Sequence, residues 1–337
     1  MEHERYWNVI TMNKTTVIHH SADFDGIFCR EIARKFLPEA ELIGWDFGDA
    51  PLEIPSGPIY VMDLPIDRVF GFDYSKVGNN RGPQHPTGLV WIDHHKSSIE
   101  SHPTDIPGYR IDGVAACRLA WFYFTALESY KKQTKTADFT WFQGHYPWAT
   151  KQDFIDRKVC EPLAVRLAGE YDIWDKRDPN AEVFQFGLRS QELMPFHWST
   201  LLDETVSPTI QGTGMEATES ELLTKALLND GRMLQRYQQQ TDASVVNYRS
   251  FLVEFEGLKF LALNTARCNS LTFAARDIPE TGHDALMGFY FTGNEWKVSL
   301  YHARNRTDLD LSLLAVKHGG GGHRGACGFQ SKQLPFV

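Results

Sequence analysis

The chain has 337 residues, more than a usual single domain, so two domains are expected. It has 34 Lys and Arg and 43 Asp and Glu, which give a formal net charge of −9. This charge disfavours tight binding of long duplex DNA, but it does not exclude a short nucleotide that is held by metal ions. The five cysteines are scattered without a Cys-x-x-Cys pair, and no apolar run reaches the about 20 residues that span a bilayer, so a reduced cytoplasmic protein with no membrane partner is expected.

Short apolar strands alternate with a helix over the first hundred residues. Residues 15–19 (TTVIH) are typical of a buried strand, and the apolar spacing over 27–37 predicts a helix that Pro38 ends. Two further strands are predicted over 58–62 and 88–92. Continuous apolar strands joined by helices indicate an α/β domain with a parallel sheet and helices on both faces.

The remainder of the chain changes from helical to mainly β. Residues 113–130 predict a helix whose aromatic side chains belong to the core, and 163–171 predict another helix. Short apolar segments after residue 250 predict a smaller α+β domain. The expected organisation is an N-terminal domain over 1–215, a linker helix over 216–247 and a C-terminal domain over 248–337. The stretch 131–158 matches no recognised pattern.

Three predicted strands run directly into residues that can bind a metal ion. These residues are His19, Asp63 and Asp93. In open parallel sheets, ligands bind beyond the carboxyl ends of the strands. We therefore expect acidic and imidazole groups from three strands to meet at one edge of the sheet.

The first of these positions belongs to the motif His19-x-x-x-Asp23-x-Asp25-Gly26. Two carboxylates and an imidazole this close together require a neutralising cation or raised carboxyl pKa values. The same Asp-x-Asp-Gly turn can instead cap the N-terminus of a helix. Both interpretations stay open at this point.

The triplet Asp93-His94-His95 is a sharper signal, because it adds a carboxylate and two imidazoles at the end of another strand. Asp172 or Asp175 can supply one more ligand. Mixed carboxylate and imidazole ligands suit Mn²⁺, and suit Mg²⁺ less well. Two ions about 3.5–4 Å apart can share a carboxylate and hold a hydroxide that attacks phosphorus.

A glycine run near the C-terminus, Gly319 to Gly322, exposes backbone N–H groups to which an anion can come close. His323 and Arg324 follow it directly. Further cationic or imidazole groups lie upstream, namely His302, Arg304 and Arg306. The run predicts a nucleotide clamp, with a flexible surface loop as the alternative.

In their order and spacing, these motifs resemble the DHH phosphoesterases with their DHH-associated C-terminal domain, from about residue 15 to 330. The resemblance implies two lobes with the active site in the cleft between them. It also implies one Mn²⁺ on His19, Asp23 and Asp63, and a second on Asp25, Asp63, His94 and Asp172. His20 is an alternative to His19, Asp175 to Asp172, and Arg306 to Arg304.

Catalytic and substrate-binding roles are implied in the same way. Asp93 would orient a histidine, and His95 would contact the scissile phosphate. The residues implied to hold the nucleotide are Arg304, Gly321, Gly322 and His323. Mg²⁺ or Co²⁺ could substitute for Mn²⁺, and a homodimer stays open.

The expected function is metal-dependent hydrolysis of phosphodiester bonds in short RNA or DNA oligonucleotides, or in linear or cyclic dinucleotides. One alternative is a phosphomonoesterase acting on pAp-like nucleotides. An alternative of another class is a nucleotide sensor that binds without turnover. The Gly-Gly-Gly-His ending argues against the inorganic pyrophosphatases of the family, which carry a different C-terminal domain.

Overall fold

The computed structural model describes residues 14–72, 88–134, 142–144, 146–191, 196–205, 217–266, 268–274, 282–303 and 306–336. The chain forms two compact units that divide between Arg232 and Met233, inside the long helix Glu219–Arg249. Each unit has its own sheet and its own hydrophobic core. Among the described residues, no helix combines the length and apolar character needed to cross a bilayer.

The first unit contains a five-stranded sheet in which all neighbouring strands run parallel. Its strands are β1 (Thr16–His20), β2 (Glu41–Trp45), β3 (Ile59–Met62), β4 (Leu89–Asp93) and β5 (Gly108–Arg110). The strand order is β2-β1-β3-β4-β5, so β2 lies on one side of β1 and the later strands lie on the other. Such a switch point opens a crevice at the carboxyl ends of the two strands.

Helices and the 3₁₀ segment Trp198–Leu202 surround this sheet in the described part of the unit. The helices of the first unit are α1 (Phe24–Phe36), α2 (Ile66–Phe70), α3 (Lys96–Ser101), α4 (Ala116–Thr134), α5 (Lys151–Ile155), α6 (Leu163–Asp172) and α7 (Asn180–Arg189). The helix that contains the division between the units is α8 (Glu219–Arg249).

Both faces of the parallel sheet are buried, which explains why its central strand β3 is apolar over its full length. Successive side chains of a strand point to opposite faces. In β3, Tyr60 and Met62 pack in the cluster formed with α1 and α4, whereas Ile59 and Val61 pack in the cluster formed with α2. The predicted α/β class with helices on both faces is confirmed.

The aromatic segment of α4 belongs to the core, as predicted. Trp121, Tyr123 and Phe124 are buried there. Glycines bring α7 close to α8, because a Cβ at Gly187 would lie 2.2 Å from the Leu227 carbonyl oxygen. This close packing fixes the position of α7 against the rest of the unit.

The second unit is a six-stranded mixed sheet in the order β10-β11-β9-β8-β7-β6, in which only β7 and β8 pair in parallel among the described strands. Its strands are β6 (Ser250–Phe255), β7 (Leu258–Asn264), β8 (Ala285–Phe291), β9 (Trp296–His302), β10 (Gly321–His323) and β11 (Ala326–Ser331). Its further helices are α9 (Ser270–Ala274) and α10 (Leu311–Lys317). The predicted smaller α+β domain is confirmed.

Two strands of the first sheet lie outside the predicted pattern. β2 is mostly exposed or half-buried, and β5 has only three residues, so neither carries a strong apolar signal. Part of the C-terminal glycine run, predicted as a clamp or a loop, forms strand β10 at the edge of the second sheet.

Candidate metal centre

The side chains at the carboxyl ends of β1, β3 and β4 meet at the switch point of the parallel sheet. His20 is the last residue of β1, Asp93 is the last residue of β4, and Asp63 directly follows β3. Asp63 has a left-handed backbone with φ of 61°, which turns the chain out of the strand while its N–H donates to the Ile92 carbonyl at 2.9 Å. Aspartate is one of the few residue types that adopt this conformation readily.

One group of potential ligands consists of His20, Asp23 and Asp63. His20 Nδ1 lies 2.9 Å from Asp23 Oδ2 and 3.4 Å from Asp63 Oδ2. Both His20 Nδ1 and Asp63 Oδ2 are buried and make no hydrogen bond within the part of the chain that the structure describes. Buried polar atoms are normally partnered, so this pair fits a cation held between the two side chains.

A second group consists of Asp25, His94 and Asp172. His94 Nε2 lies 3.3 Å from Asp172 Oδ2, 3.6 Å from Asp25 Oδ2 and 3.3 Å from Asp63 Oδ1. Asp63 therefore faces His20 with one carboxylate oxygen and His94 with the other. This arrangement allows Asp63 to bridge two cations.

Asp25 is held in place by the first turn of α4. Its carboxylate accepts hydrogen bonds from the backbone N–H groups of Ala116 at 2.8 Å and Cys117 at 2.7 Å. Free N–H groups at a helix N-terminus stabilise a carboxylate. The contact spans 91 and 92 residues along the chain, so no local sequence signal could have revealed it.

Asp93 is fully buried and orients the side chain of His95. Its Oδ1 lies 2.7 Å from His95 Nδ1 and also accepts the backbone N–H of His94 at 2.7 Å. The hydrogen bond that His95 donates to Asp93 outweighs burial and raises the pKa of His95. Because Nδ1 faces Asp93, Nε2 of His95 is free to contact a ligand.

The charges in this site are poorly compensated without a cation. Burial, with the neighbouring Asp63 and Asp172 carboxylates, raises the pKa of Asp25 well above its ordinary value. Burial likewise raises the pKa of Asp172 to about 6.

In the two central histidines, His20 and His94, contacts with carboxylates affect the pKa more than burial does. Burial alone would lower their pKa values, but contacts with the carboxylates raise the pKa of His20 to about 11 and that of His94 to about 10. Two divalent ions would supply the positive charge that these protons provide in the metal-free site.

Solved structures with a similar architecture exist at low sequence identity. The chain is similar to a pGpG-specific phosphodiesterase from Vibrio cholerae, with 16% identity, a TM-score of 0.40 and coverage of 95% of this chain and 93% of the other. It is similar to the DHH domain of a protein from a ribosomal protein family, with 12% identity, a TM-score of 0.42 and coverage of 95% and 83%. It is also similar to RecJ of Thermus thermophilus in complex with Mg²⁺, with 13% identity and a TM-score of 0.46. That match covers 96% of this chain and 48% of the other.

At these identities and TM-scores the likeness concerns the fold alone. No family model matches the chain, and no curated protein matches it in sequence.

The structure places His20 rather than His19 beside the carboxylates, which corrects the preferred ligand. The His19 ring turns the other way, with Nδ1 2.7 Å from the His20 carbonyl oxygen. Its Nε2 approaches Gly44, the residue paired with it on β2, which has no side chain to exclude the ring. Burial lowers the pKa of His19, in contrast to its neighbour.

Asp172 and Asp175 also differ in what they contact. Asp172 lies in the site, whereas Asp175 forms an ion pair with Arg177. Asp23, Asp25, Asp63 and His94 lie close together, in two groups that Asp63 joins.

In the second unit, Gly321, Gly322 and His323 lie on the edge strand β10, where Gly322 and His323 are exposed. Arg304 lies outside the described residues. Arg306 forms ion pairs with Asp284 and Asp308, and Arg324 donates to the carbonyl groups of Asp308 and Leu309. Arg306 and Arg324 therefore hold the loop before α10.

Sequence reasoning missed one carboxylate near the site. Asp46 directly follows β2, and its Oδ1 lies 3.2 Å from His20 Nε2, on the ring nitrogen opposite the cluster. A carboxylate in this position fixes the orientation of a metal-binding imidazole. Recognising Asp46 would have required predicting β2, which has a weak apolar pattern.

Proposed function

We propose that the protein is a phosphoesterase that uses two divalent metal ions to hydrolyse phosphodiester bonds in short oligonucleotides or dinucleotides. The observation that supports this proposal best is the position of Asp63. Its two oxygens face two different histidines, His20 and His94, each accompanied by further carboxylates. A shared carboxylate between two ligand groups is the arrangement that two-metal hydrolysis requires.

The bound ions would lower the pKa of a water molecule and neutralise charge that develops on the phosphoryl oxygens. His20, Asp23 and Asp63 would hold one ion. Asp25, Asp63, His94 and Asp172 would hold the other. Each set combines imidazole with carboxylate, which suits Mn²⁺ and admits Mg²⁺ or Co²⁺.

His95 would act directly on the substrate. Its hydrogen bond to Asp93 raises its pKa and fixes the ring through Nδ1. The protonated ring can donate from Nε2 to a phosphate oxygen of the substrate. Asp93 would act through His95 as a positioning residue.

The experiment measures hydrolysis of pApA and of pAp by one preparation of the protein with Mn²⁺. We expect AMP from pApA at a higher kcat/KM than phosphate from pAp. Asp63→Asn should lower kcat/KM by about 1000-fold or more, because metal ions contribute several kcal/mol to transition-state stabilisation. The matched control is Asp105→Asn, which changes an exposed aspartate of the same unit and should leave hydrolysis unchanged.

The two competing functions predict different results. Faster release of phosphate from pAp would identify a phosphomonoesterase with the same metal centre. Tight binding of both nucleotides with no product over hours would indicate a sensor. Full activity of Asp63→Asn would refute the assigned mechanism.

A further inference from the structure

Asp63 combines a central position in the candidate metal centre with a backbone conformation that costs free energy. Its φ is 61°, in the left-handed region, and its side chain is almost fully buried. A residue other than glycine keeps such a conformation only where the surrounding structure fixes the chain. The contacts of the segment Asp63-Leu64-Pro65, which connects β3 to α2, therefore decide where the Asp63 carboxylate points.

Two consecutive residues of β4 hold this segment by hydrogen bonds. The Asp63 N–H donates to the carbonyl oxygen of Ile92 at 2.9 Å. The indole N–H of Trp91 donates to the carbonyl oxygen of Leu64 at 2.8 Å. Because Pro65 comes next, Leu64 favours an extended backbone, which limits the directions that its carbonyl group can take. One bond precedes the left-handed residue and the other follows it, so together they fix the turn.

The indole of Trp91 is held in turn by its own neighbours. Its side chain is fully buried in the cluster formed with α2. The His102 ring centre and the Arg110 guanidinium carbon each lie 4.9 Å from the centre of the indole ring. Arg110 also donates to the Trp91 carbonyl oxygen at 3.0 Å and to that of Ile106 at 2.7 Å. The indole N–H therefore has a fixed direction, which a group that positions another requires.

The acceptor of this hydrogen bond is what distinguishes Trp91 from another buried tryptophan of the same unit. A buried indole N–H needs a partner, and any carbonyl group within reach would satisfy it. Trp121 makes such a bond to the Cys160 carbonyl oxygen at 3.1 Å, and neither of these two residues belongs to the candidate metal centre. The acceptor of Trp91, in contrast, directly follows the carboxylate that faces both His20 and His94.

We propose that Trp91 is a positioning residue for Asp63. Its indole fixes the Leu64 carbonyl group, and with it the left-handed turn that directs one carboxylate oxygen towards each of the two ligand groups. A small change in this turn would move both oxygens at once. This inference rests on the proposed function, because it assigns Asp63 to both metal ions.

The test compares two Trp→Phe variants in calorimetric titrations with Mn²⁺. Trp91→Phe keeps an aromatic ring and removes the donor to Leu64. It should weaken Mn²⁺ binding by about tenfold or more, the effect typical of a lost contact behind a metal ligand. Trp121→Phe is the matched control, because it removes the comparable bond to Cys160 and should leave the Mn²⁺ affinity unchanged.

Both variants should lower the melting temperature of the metal-free protein, because each loses a buried hydrogen bond and part of a buried ring. A role confined to the stability of the fold would therefore affect the two variants alike. The EPR spectrum of the Mn²⁺-loaded protein gives a second readout, since two Mn²⁺ ions that share a carboxylate are magnetically coupled. The coupling should change in Trp91→Phe and stay as in the wild type in Trp121→Phe.

An unchanged Mn²⁺ affinity in Trp91→Phe, or an equal loss of affinity in both variants, would overturn the proposal. If Trp91→Phe does not fold, replacement of Trp91 by benzothienylalanine serves instead, because that side chain keeps two fused rings and lacks only the N–H group. The same two results decide for that variant.

Failure of the proposed function would give a different result. A wild-type protein that binds Mn²⁺ but hydrolyses neither pApA nor pAp would contradict the phosphoesterase function alone, and the Mn²⁺ affinities of the two variants would still decide the role of Trp91. A wild-type protein that binds no Mn²⁺ would overturn both proposals.

Discussion

Two adjacent histidines at the end of β1 have opposite surroundings. His20 faces Asp23, Asp46 and Asp63, while His19 packs toward Gly44 of the neighbouring strand. The cause is the pleat of the strand, which sends successive side chains to opposite sides. The candidate metal centre therefore depends on the direction of single side chains.

Substituting each histidine in turn tests this assignment. His20→Ala should weaken Mn²⁺ binding by more than about 100-fold, because even the loss of a group that only orients a ligand weakens binding by about 10–100-fold. His19→Ala should change Mn²⁺ affinity only a few-fold while lowering the melting temperature, since it removes a buried ring. Isothermal titration calorimetry with both variants measures the affinities. Comparable losses in the two variants would contradict the assignment.

At the scale of elements, the start of α1 caps the helix and also supplies carboxylates to the proposed metal site. The sequence alone did not decide between these two roles. Asp23 caps the helix, with Oδ1 accepting the Gly26 N–H at 2.9 Å. Its Oδ2 faces His20 at 2.9 Å. Two residues later, the carboxylate of Asp25 accepts hydrogen bonds from the backbone N–H groups in the first turn of α4. One turn of helix thus connects β1 and α4 to the proposed metal site.

Gly26 makes this close contact between α1 and β1 sterically allowed. A Cβ at Gly26 would lie 2.1 Å from the His20 carbonyl oxygen. Gly26→Ala should lower the free energy of unfolding by about 1–3 kcal/mol from overpacking, reduced by about 1 kcal/mol of gained helix propensity. It should also weaken Mn²⁺ binding, because the backbone of His20 must move.

Gly144→Ala is the matched control, because a Cβ there meets nothing within 4 Å. Urea denaturation and calorimetric titration of both variants provide the comparison. Unchanged metal affinity in Gly26→Ala would show that His20 does not depend on this contact.

At the scale of the whole molecule, bound metal ions would couple stability to pH. In the metal-free protein, the carboxylates raise the pKa of His20 to about 11 and of His94 to about 10, above their ordinary value of 6.5. A raised pKa means that the protonated histidines stabilise the fold fully below 6.5, and that this contribution is lost as pH rises through 10 to 11.

Metal ions must displace these protons, so Mn²⁺ binding at pH 7 should release at least two protons per molecule, one from each histidine. The affinity for Mn²⁺ should increase with pH. At a Mn²⁺ concentration 100 times Kd, each occupied site should add about 2.7 kcal/mol to the free energy of unfolding. Calorimetry in two buffers with different ionisation enthalpies measures the protons, and thermal unfolding measures the stabilisation. Metal binding without proton release would contradict the assigned ligands.

The sequence by itself determined the fold class and most of the proposed site. Apolar strands that end in Asp63 and Asp93 indicate a parallel sheet with ligands at its carboxyl edge, because that edge collects the ends of all its strands. The Asp23-x-Asp25-Gly26 turn and the Asp93-His94-His95 triplet are local patterns that can be read without a structure.

Only the tertiary structure decided which neighbouring residues face the site and what surrounds them. It placed His20 there instead of His19, brought Asp46 from an unpredicted strand, and joined Asp25 to α4. It also brought the Trp91 indole to the carbonyl group of the residue after Asp63. The physical reason is that side-chain direction and long-range packing depend on how the elements assemble, whereas the sequence pattern records only local period and composition.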